Sequence, residues 1–356
     1  MWRISRKLEN KIFRSVSKPE TSFKCFSALV SPTPKEAVDF FLQNHELINQ
    51  QQKSEEGVSN LAQRYFSNLV GKPQNKQDNL GLYLRCLDKF YKTNAESIFF
   101  QGIEKSSFKS DKERADFLCF LSNMTANISG YTRQFEDNCI EINTRIKNKN
   151  GLEESLPRLL PHVDDLFADD KPLKFLTFLG IEAPYKNYRT YILNHKNVVE
   201  KLSKKSKTVL QEPIFQDFFE NYKPQPILID LGKGNYDINF STEKKDQPLR
   251  VNLNKINDKS LTKDDINAAI SDIERAILDI YRQNKLTQYY IGDMDVLCFK
   301  NQLHGRDQVG VSEEYLSSTR RLLSLAYTTK PSSSIVPKAI ASLKNNFDKQ
   351  FNYDRS

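Results

Sequence analysis

Asp295-Val296-Leu297-Cys298-Phe299-Lys300-Asn301-Gln302-Leu303-His304-Gly305-Arg306 is the stretch that decides the fold. Its first five residues are a short, β-branched and aromatic run, which reads as a strand. Five residues on, His304 stands beside Gly305. A histidine near a strand end and before a glycine is well placed on the rim of a β-sandwich.

A second segment supplies the chemistry that His304 lacks alone. In Leu159-Leu160-Pro161-His162-Val163-Asp164 an apolar run ends in His-x-Asp. In an extended chain, residues i and i+2 point to the same face, so His162 and Asp164 present an imidazole and a carboxylate side by side. The tripeptide is common by chance, so the reading depends on a third ligand, for which His304 is the best candidate. Two histidines and one carboxylate on one face leave adjacent positions open on iron(II), enough for a bidentate 2-oxo acid and O2. Of the other two histidines, His45 reads as a surface residue without a partner and His195 as a loop residue.

Outward from these segments the pattern is one of many short strands. Ser97–Phe100 is a buried-strand candidate, and Ile140, Ile142, Thr144 and Ile146 alternate with period two. Further strands are expected over 173–179, 189–193, 226–231, 237–240, 249–253, 287–291, 295–299 and 321–327. Glu113–Ile128 has helical spacing with Gly130 as its stop, and Val198–Gln211 reads as one helix. Thr262–Gln283 carries Ile266, Ile270, Ile273, Ile277 and Ile280 on one face, with Thr262 and Asp265 as a capping box. Many strands with few helices predict a mainly-β core of α+β class. Residues 1–80 read as a helical extension packed outside that core, with 81–356 as the main domain. The tail from 330 begins with Pro and Ser and is expected to fray.

Composition narrows the function. The 356 residues are 38% hydrophobic and 28% charged, so the chain folds. No run approaches the ~20 apolar residues of a membrane span, so a soluble protein is expected. Part of the formal charge of +8 lies at the start, where Arg3, Arg6, Lys7, Lys11, Arg14 and Lys18 face only Glu9. With Trp2, Leu8, Ile12, Phe13 and Val16 on one face, that segment is either a targeting or membrane-surface helix or, the preferred reading, an ordinary peripheral one. Elsewhere basic residues alternate with acids, so no nucleic-acid partner is argued. Five scattered cysteines without CxxC spacing read as reduced thiols of a cytoplasm-like compartment.

The same segments carry a resemblance. Gly292 to Leu297, Asn301 to Arg306 and then Arg320-Arg321-Leu322-Leu323 resemble the C-terminal signature of the taurine-dioxygenase-like superfamily. Within it, the chain is most similar to the clavaminate-synthase-like branch of amino-acid hydroxylases. Pro161 to Phe167 resembles the branch's iron motif, and Val209-Leu210-Gln211-Glu212-Pro213-Ile214-Phe215 resembles the end of its helix. The likeness runs over about residues 95–330. It implies a double-stranded β-helix, or jelly roll, with flanking helices. It implies His162, Asp164 and His304 as iron(II) ligands, with Asp165 as the neighbouring alternative. It implies Arg320, with Arg321 as fallback, on the distal carboxylate of the cosubstrate 2-oxoglutarate, and Thr190 hydrogen-bonded to the same carboxylate. Asp237, in Asn235-Tyr236-Asp237, resembles an acid that meets basic substrate side chains.

Two departures from the branch matter. It usually has Glu where Asp164 stands, whereas the wider superfamily uses Asp; a carboxylate here argues against the related halogenases. The branch also often carries an Arg four residues after the first, which grips a substrate's α-carboxylate, and here that position is Ser324. Arg321, Arg306 and Arg158 are the nearest replacement cations in sequence. The implied reaction is oxidative decarboxylation of 2-oxoglutarate to succinate and CO2, coupled to hydroxylation of a small, amino-acid-like molecule. Desaturation or rearrangement uses the same ligands. A non-catalytic binding protein on the same fold is the rival from another class.

Overall fold

The computed structural model describes residues 28–329 except 73–77, 93–94, 134–138, 144–145, 148–152, 155–158, 165–172, 183–188, 217–222, 243–248, 256–259 and 307–320. The basic N-terminal segment and the 330–356 tail lie outside the described residues. Two sheets form the centre. The larger runs Ala28–Pro32, Ser97–Gln101, Val296–Lys300, Phe175–Glu182, Arg321–Thr329, Tyr131–Arg133, with Cys139–Asn143 also paired to the 321–329 strand. The smaller runs Thr287–Tyr290, Arg189–Ile192, His304–Arg306, Leu159–His162, antiparallel throughout.

The continuous apolar run at 296–299 is explained by burial on both faces. Val296 and Cys298 join the core under the helices, whereas Leu297 and Phe299 join a cluster with Phe99, Leu176, Ile192, Tyr289 and Ile291. That second cluster draws from both sheets, so the sheets pack face to face. At Asn301-Gln302-Leu303 the chain leaves the large sheet, and it enters the small one at His304. The strand expected over 295–299 is found at Val296–Lys300, and a further strand, His304–Arg306, follows it after a three-residue corner.

Helices cover the outer faces. Asp111–Ile128 starts on Ser110, whose hydroxyl accepts from the Glu113 amide. Ser122 of this helix lies 2.7 Å from the Thr177 hydroxyl and 2.6 Å from that of Tyr327, which donates to Asn123 at 2.9 Å. Lys263–Arg282 begins with the expected capping box of Thr262 and Asp265 and buries Ile266, Ile273, Ile277 and Ile280. The helix expected over 198–211 is two, His195–Lys201 and Lys204–Leu210. The break falls at Ser203, whose extended backbone and side chain cap the second helix.

The described part of residues 1–80 is helical from Lys35, and it shares a core with the large sheet. Ala28–Pro32 pairs in parallel with Ser97–Gln101 as an edge strand. Phe40, Phe41 and Tyr65 pack their rings against Phe120 of the 111–128 helix at 5.0–6.1 Å. Burial of these aromatics, not sequence position, ties the segment to the rest. Among the described residues no helix is long and apolar enough to cross a membrane. Phe120→Ala is expected to destabilise the protein by about 3–5 kcal/mol in urea denaturation, with a single transition. A separate transition for the N-terminal helices would show instead that 28–92 fold on their own.

Candidate functional site

His304 is paired directly opposite His162 across the small sheet. Residues so placed point to the same side, and the two rings lie 4.5 Å apart. Each ring is oriented by the same device. Nδ1 of His162 donates to the Leu160 carbonyl and Nδ1 of His304 to the Gln302 carbonyl, both at 2.8 Å. A carbonyl only accepts, so each Nδ1 carries the hydrogen and each Nε2 presents a lone pair. Asp164 completes the group, with Oδ1 at 3.3 Å from His162 Nε2 and Oδ2 at 3.6 Å from His304 Nε2. One donor atom from each of the three residues falls within 4.8 Å of the others.

Three lone-pair donors turned toward one another repel unless positive charge lies between them. Burial alone would raise the Asp164 carboxyl. Were both rings also protonated at Nε2, the His304 charge and hydrogen bonds from both rings would outweigh burial and hold the group far below the usual carboxylate range. A divalent metal ion meets the same demand without protonating the rings, and two imidazoles with one carboxylate suit a first-row transition metal.

The walls come from both sheets. Phe299 and Phe178 of the large sheet approach His304, with ring centroids at 5.1 and 6.0 Å. On the small sheet Thr190 is buried and pairs with Arg306 on one side and Tyr289 on the other. Strand alternation puts Thr190 and Arg306 on the face of Ile192 and His304, toward the other sheet.

Two residues hold the cluster that sequence reasoning gave no structural role. Asn301 donates both amide hydrogens, to the Asp164 carbonyl at 3.0 Å and the Leu173 carbonyl at 3.1 Å. It thereby fixes the backbone of the carboxylate residue from the corner that leads to His304. His195, expected in a loop, is instead the buried first residue of a helix. Its Nε2 accepts the Leu303 amide at 3.0 Å. Burial pushes its pKa down to about 4, so it is neutral at physiological pH. No local pattern marks either residue, because both partners are distant in sequence. His45, expected without a partner, lies 3.1 Å from Asp116 of the 111–128 helix.

Of the other expected site residues, Asp237 is on the Asn235–Ile238 strand and forms an ion pair with Lys174. Arg321 opens the 321–329 strand opposite Glu182, and Ser324 holds the register position opposite Phe178. Arg320, Asp165 and Arg158 lie outside the described residues.

No protein-family model matches the sequence, and a search of the curated proteins finds no match. Solved structures do match. Asparagine oxygenase in complex with Fe(II), 2S,3S-3-hydroxyasparagine and succinate superposes with a TM-score of 0.55 at 13% identity, over 84% of this chain and 93% of that one. The non-heme iron oxygenase OrfP in complex with Fe, succinate and (3S)-hydroxy-L-Arg gives 0.56 at 12% identity, over 85% and 94%. OrfP with Fe and L-Arg gives 0.55 at 13% identity, with the same coverage. The chain has the fold of these non-heme iron oxygenases. That oxygenase fold is a mixed helix-and-sheet structure with a sheet-rich core, as the strand count predicted.

Asn301→Ala leaves the Asp164 and Leu173 carbonyls without their donor. It is expected to weaken divalent-metal binding at least tenfold while leaving the folded fraction near that of the parent, measured by metal titration and circular dichroism. Unchanged metal affinity would show that the Asp164 turn holds its geometry without Asn301.

Proposed function

We propose that the chain is an iron(II)- and 2-oxoglutarate-dependent oxygenase that hydroxylates an amino acid or an amino-acid-derived small molecule, on a double-stranded β-helix. The observation that carries this reading is the convergence of two Nε2 atoms and one carboxylate within 4.8 Å on the inner face of the small sheet. The fold likeness supports it, since the matching oxygenases hold iron, succinate and hydroxylated amino acids. In this reading His162, Asp164 and His304 hold the iron. Arg320, or Arg321 one residue on, takes the distal carboxylate of 2-oxoglutarate, with Thr190 beside it.

Iron(II) with bound 2-oxo acid supplies the activation of O2 and the oxidising power for the substrate C–H bond. The chain supplies geometry. The two Nδ1–H to carbonyl bonds keep both Nε2 atoms aimed at one point, and Asn301 keeps the carboxylate turned to the same point. Phe178, Phe299, Ile192 and Tyr289 line the space between the sheets with apolar surface and exclude water from it.

Purified protein given iron(II) and 2-oxoglutarate without O2 is expected to develop the weak visible metal-to-ligand charge-transfer band of such complexes. With O2 it is expected to release succinate. His304→Ala is expected to abolish both iron retention and succinate release. Absence of the band in the parent protein would favour a non-catalytic binding role.

Arg320→Ala is expected to raise the 2-oxoglutarate requirement roughly ten- to a hundredfold, the loss expected for a charge-assisted carboxylate pair. An unchanged requirement, with Arg321→Ala harmful, would move the role one residue along.

A further inference from the structure

An ion pair linked to the His–Asp–His cluster through its backbone neighbours is left unused by the roles above. Lys174 Nζ is 3.4 Å from Asp237 Oδ2, and the side chains are 33% and 34% exposed, so solutes reach both. Backbone contacts connect the pair to all three residues of the cluster. Lys174 follows Leu173, whose carbonyl shares the Asn301 amide with that of Asp164. The other Asp237 oxygen is 4.0 Å from His195 Nδ1, and His195 accepts the amide of Leu303, the neighbour of His304. The Asn235–Ile238 strand continues to Ser241, which bridges to His162.

The charges around the pair favour an anion as well as a cation. Lys300 is half-buried, with Asp237 and Glu96 close enough to act on its ammonium. His195 is neutral and adds no charge. A carboxylate brought to this place needs a cation, because desolvating it unpaired is costly. Serine at position 324 offers none, and Lys174 is a cation that sequence spacing did not indicate. Asp237, for its part, is already occupied by Lys174. A basic substrate side chain there would enter next to two lysines.

We propose that Lys174 and Asp237 together bind the zwitterionic end of an amino-acid substrate, Lys174 taking the α-carboxylate and Asp237 the α-ammonium. The four charges then alternate in sign, so that each keeps an opposite neighbour. A carboxylate has enough lone pairs to hold both the ammonium and Lys174. This assignment rests on the oxygenase reading and deepens it, since it selects free amino acids over amides and N-acylated forms.

The test uses the whole protein, anaerobic, with iron(II) and 2-oxoglutarate. The charge-transfer band is titrated with the proteinogenic L-amino acids, their C-terminal amides and their N-acetyl derivatives. At least one free amino acid is expected to shift the band and to bind roughly ten- to a hundredfold more tightly than its amide. Lys174→Met keeps the apolar stem and removes the charge; it is expected to erase that gap, and Lys174→Arg to retain it. Asp237→Asn is expected to erase the gap between the free and N-acetyl forms. The band itself is expected in all three variants. A band in the parent protein that no free amino acid shifts, or gaps that survive in Lys174→Met and Asp237→Asn, would overturn this assignment and leave the oxygenase reading standing. No band in the parent protein would remove both.

Discussion

The antiparallel pairing of His304–Arg306 with Leu159–His162 is the contact on which the rest of the site depends. A slip of one residue would turn every side chain to the opposite face, and the two imidazoles would part. Two features hold the register. Gly305 lets the strands close: a Cβ there would lie 2.4 Å from the Leu159 carbonyl oxygen and 2.5 Å from the Tyr191 hydroxyl. The space that glycine leaves is used, because the Tyr191 hydroxyl donates to that same carbonyl at 2.7 Å. The pairing then shifts between His304 and Arg306, so that Arg306 faces Leu159. Pro161 sits at this irregularity, where its missing N–H costs no regular ladder bond, and its carbonyl accepts from the Thr242 amide and hydroxyl.

The corner at Asn301-Gln302-Leu303 does the complementary task of joining the two sheets at the cluster. Each of its residues makes one bond that orients a ligand or its neighbour. Asn301 reaches the Asp164 carbonyl, Gln302 accepts the His304 ring, and Leu303 donates to His195. Leu303 also accepts the Leu193 amide at 2.7 Å, which carries the pairing of the 189–192 strand beyond its end. The two rings are thus fixed by backbone carbonyls, whose positions follow from the sheets, while the Asn301 side chain holds the Asp164 backbone. Side-chain partners would add rotamer freedom that such fixed carbonyls do not have.

Much of this was legible in the sequence because it depends on local period and chemical scarcity. Alternation and short apolar runs located most of the strands, and the Thr262–Asp265 box located the start of the longest described helix. With four histidines in the chain, His162 and His304 stood out by their neighbours alone. Where the reading went astray, a distant partner was the cause. His195 looked like a loop residue until Leu303 closed on it, and His45 looked solitary until Asp116 met it. The N-terminal helices read as peripheral because nothing local reveals that Phe120 packs against Phe40, Phe41 and Tyr65.

By itself the sequence determined what each segment can be: period and composition set strand or helix, and the residue types set two imidazoles and a carboxylate as available donors. The tertiary structure alone decided which of these meet. Cross-strand register brought His304 opposite His162. The corner at 301–303 put an amide on Asp164, and an unheralded lysine came to rest on Asp237. The reason is physical. Local propensity acts over a turn or a few residues, whereas these contacts join groups at least 63 positions apart. They form only when burial of the apolar faces has fixed both sheets in one register.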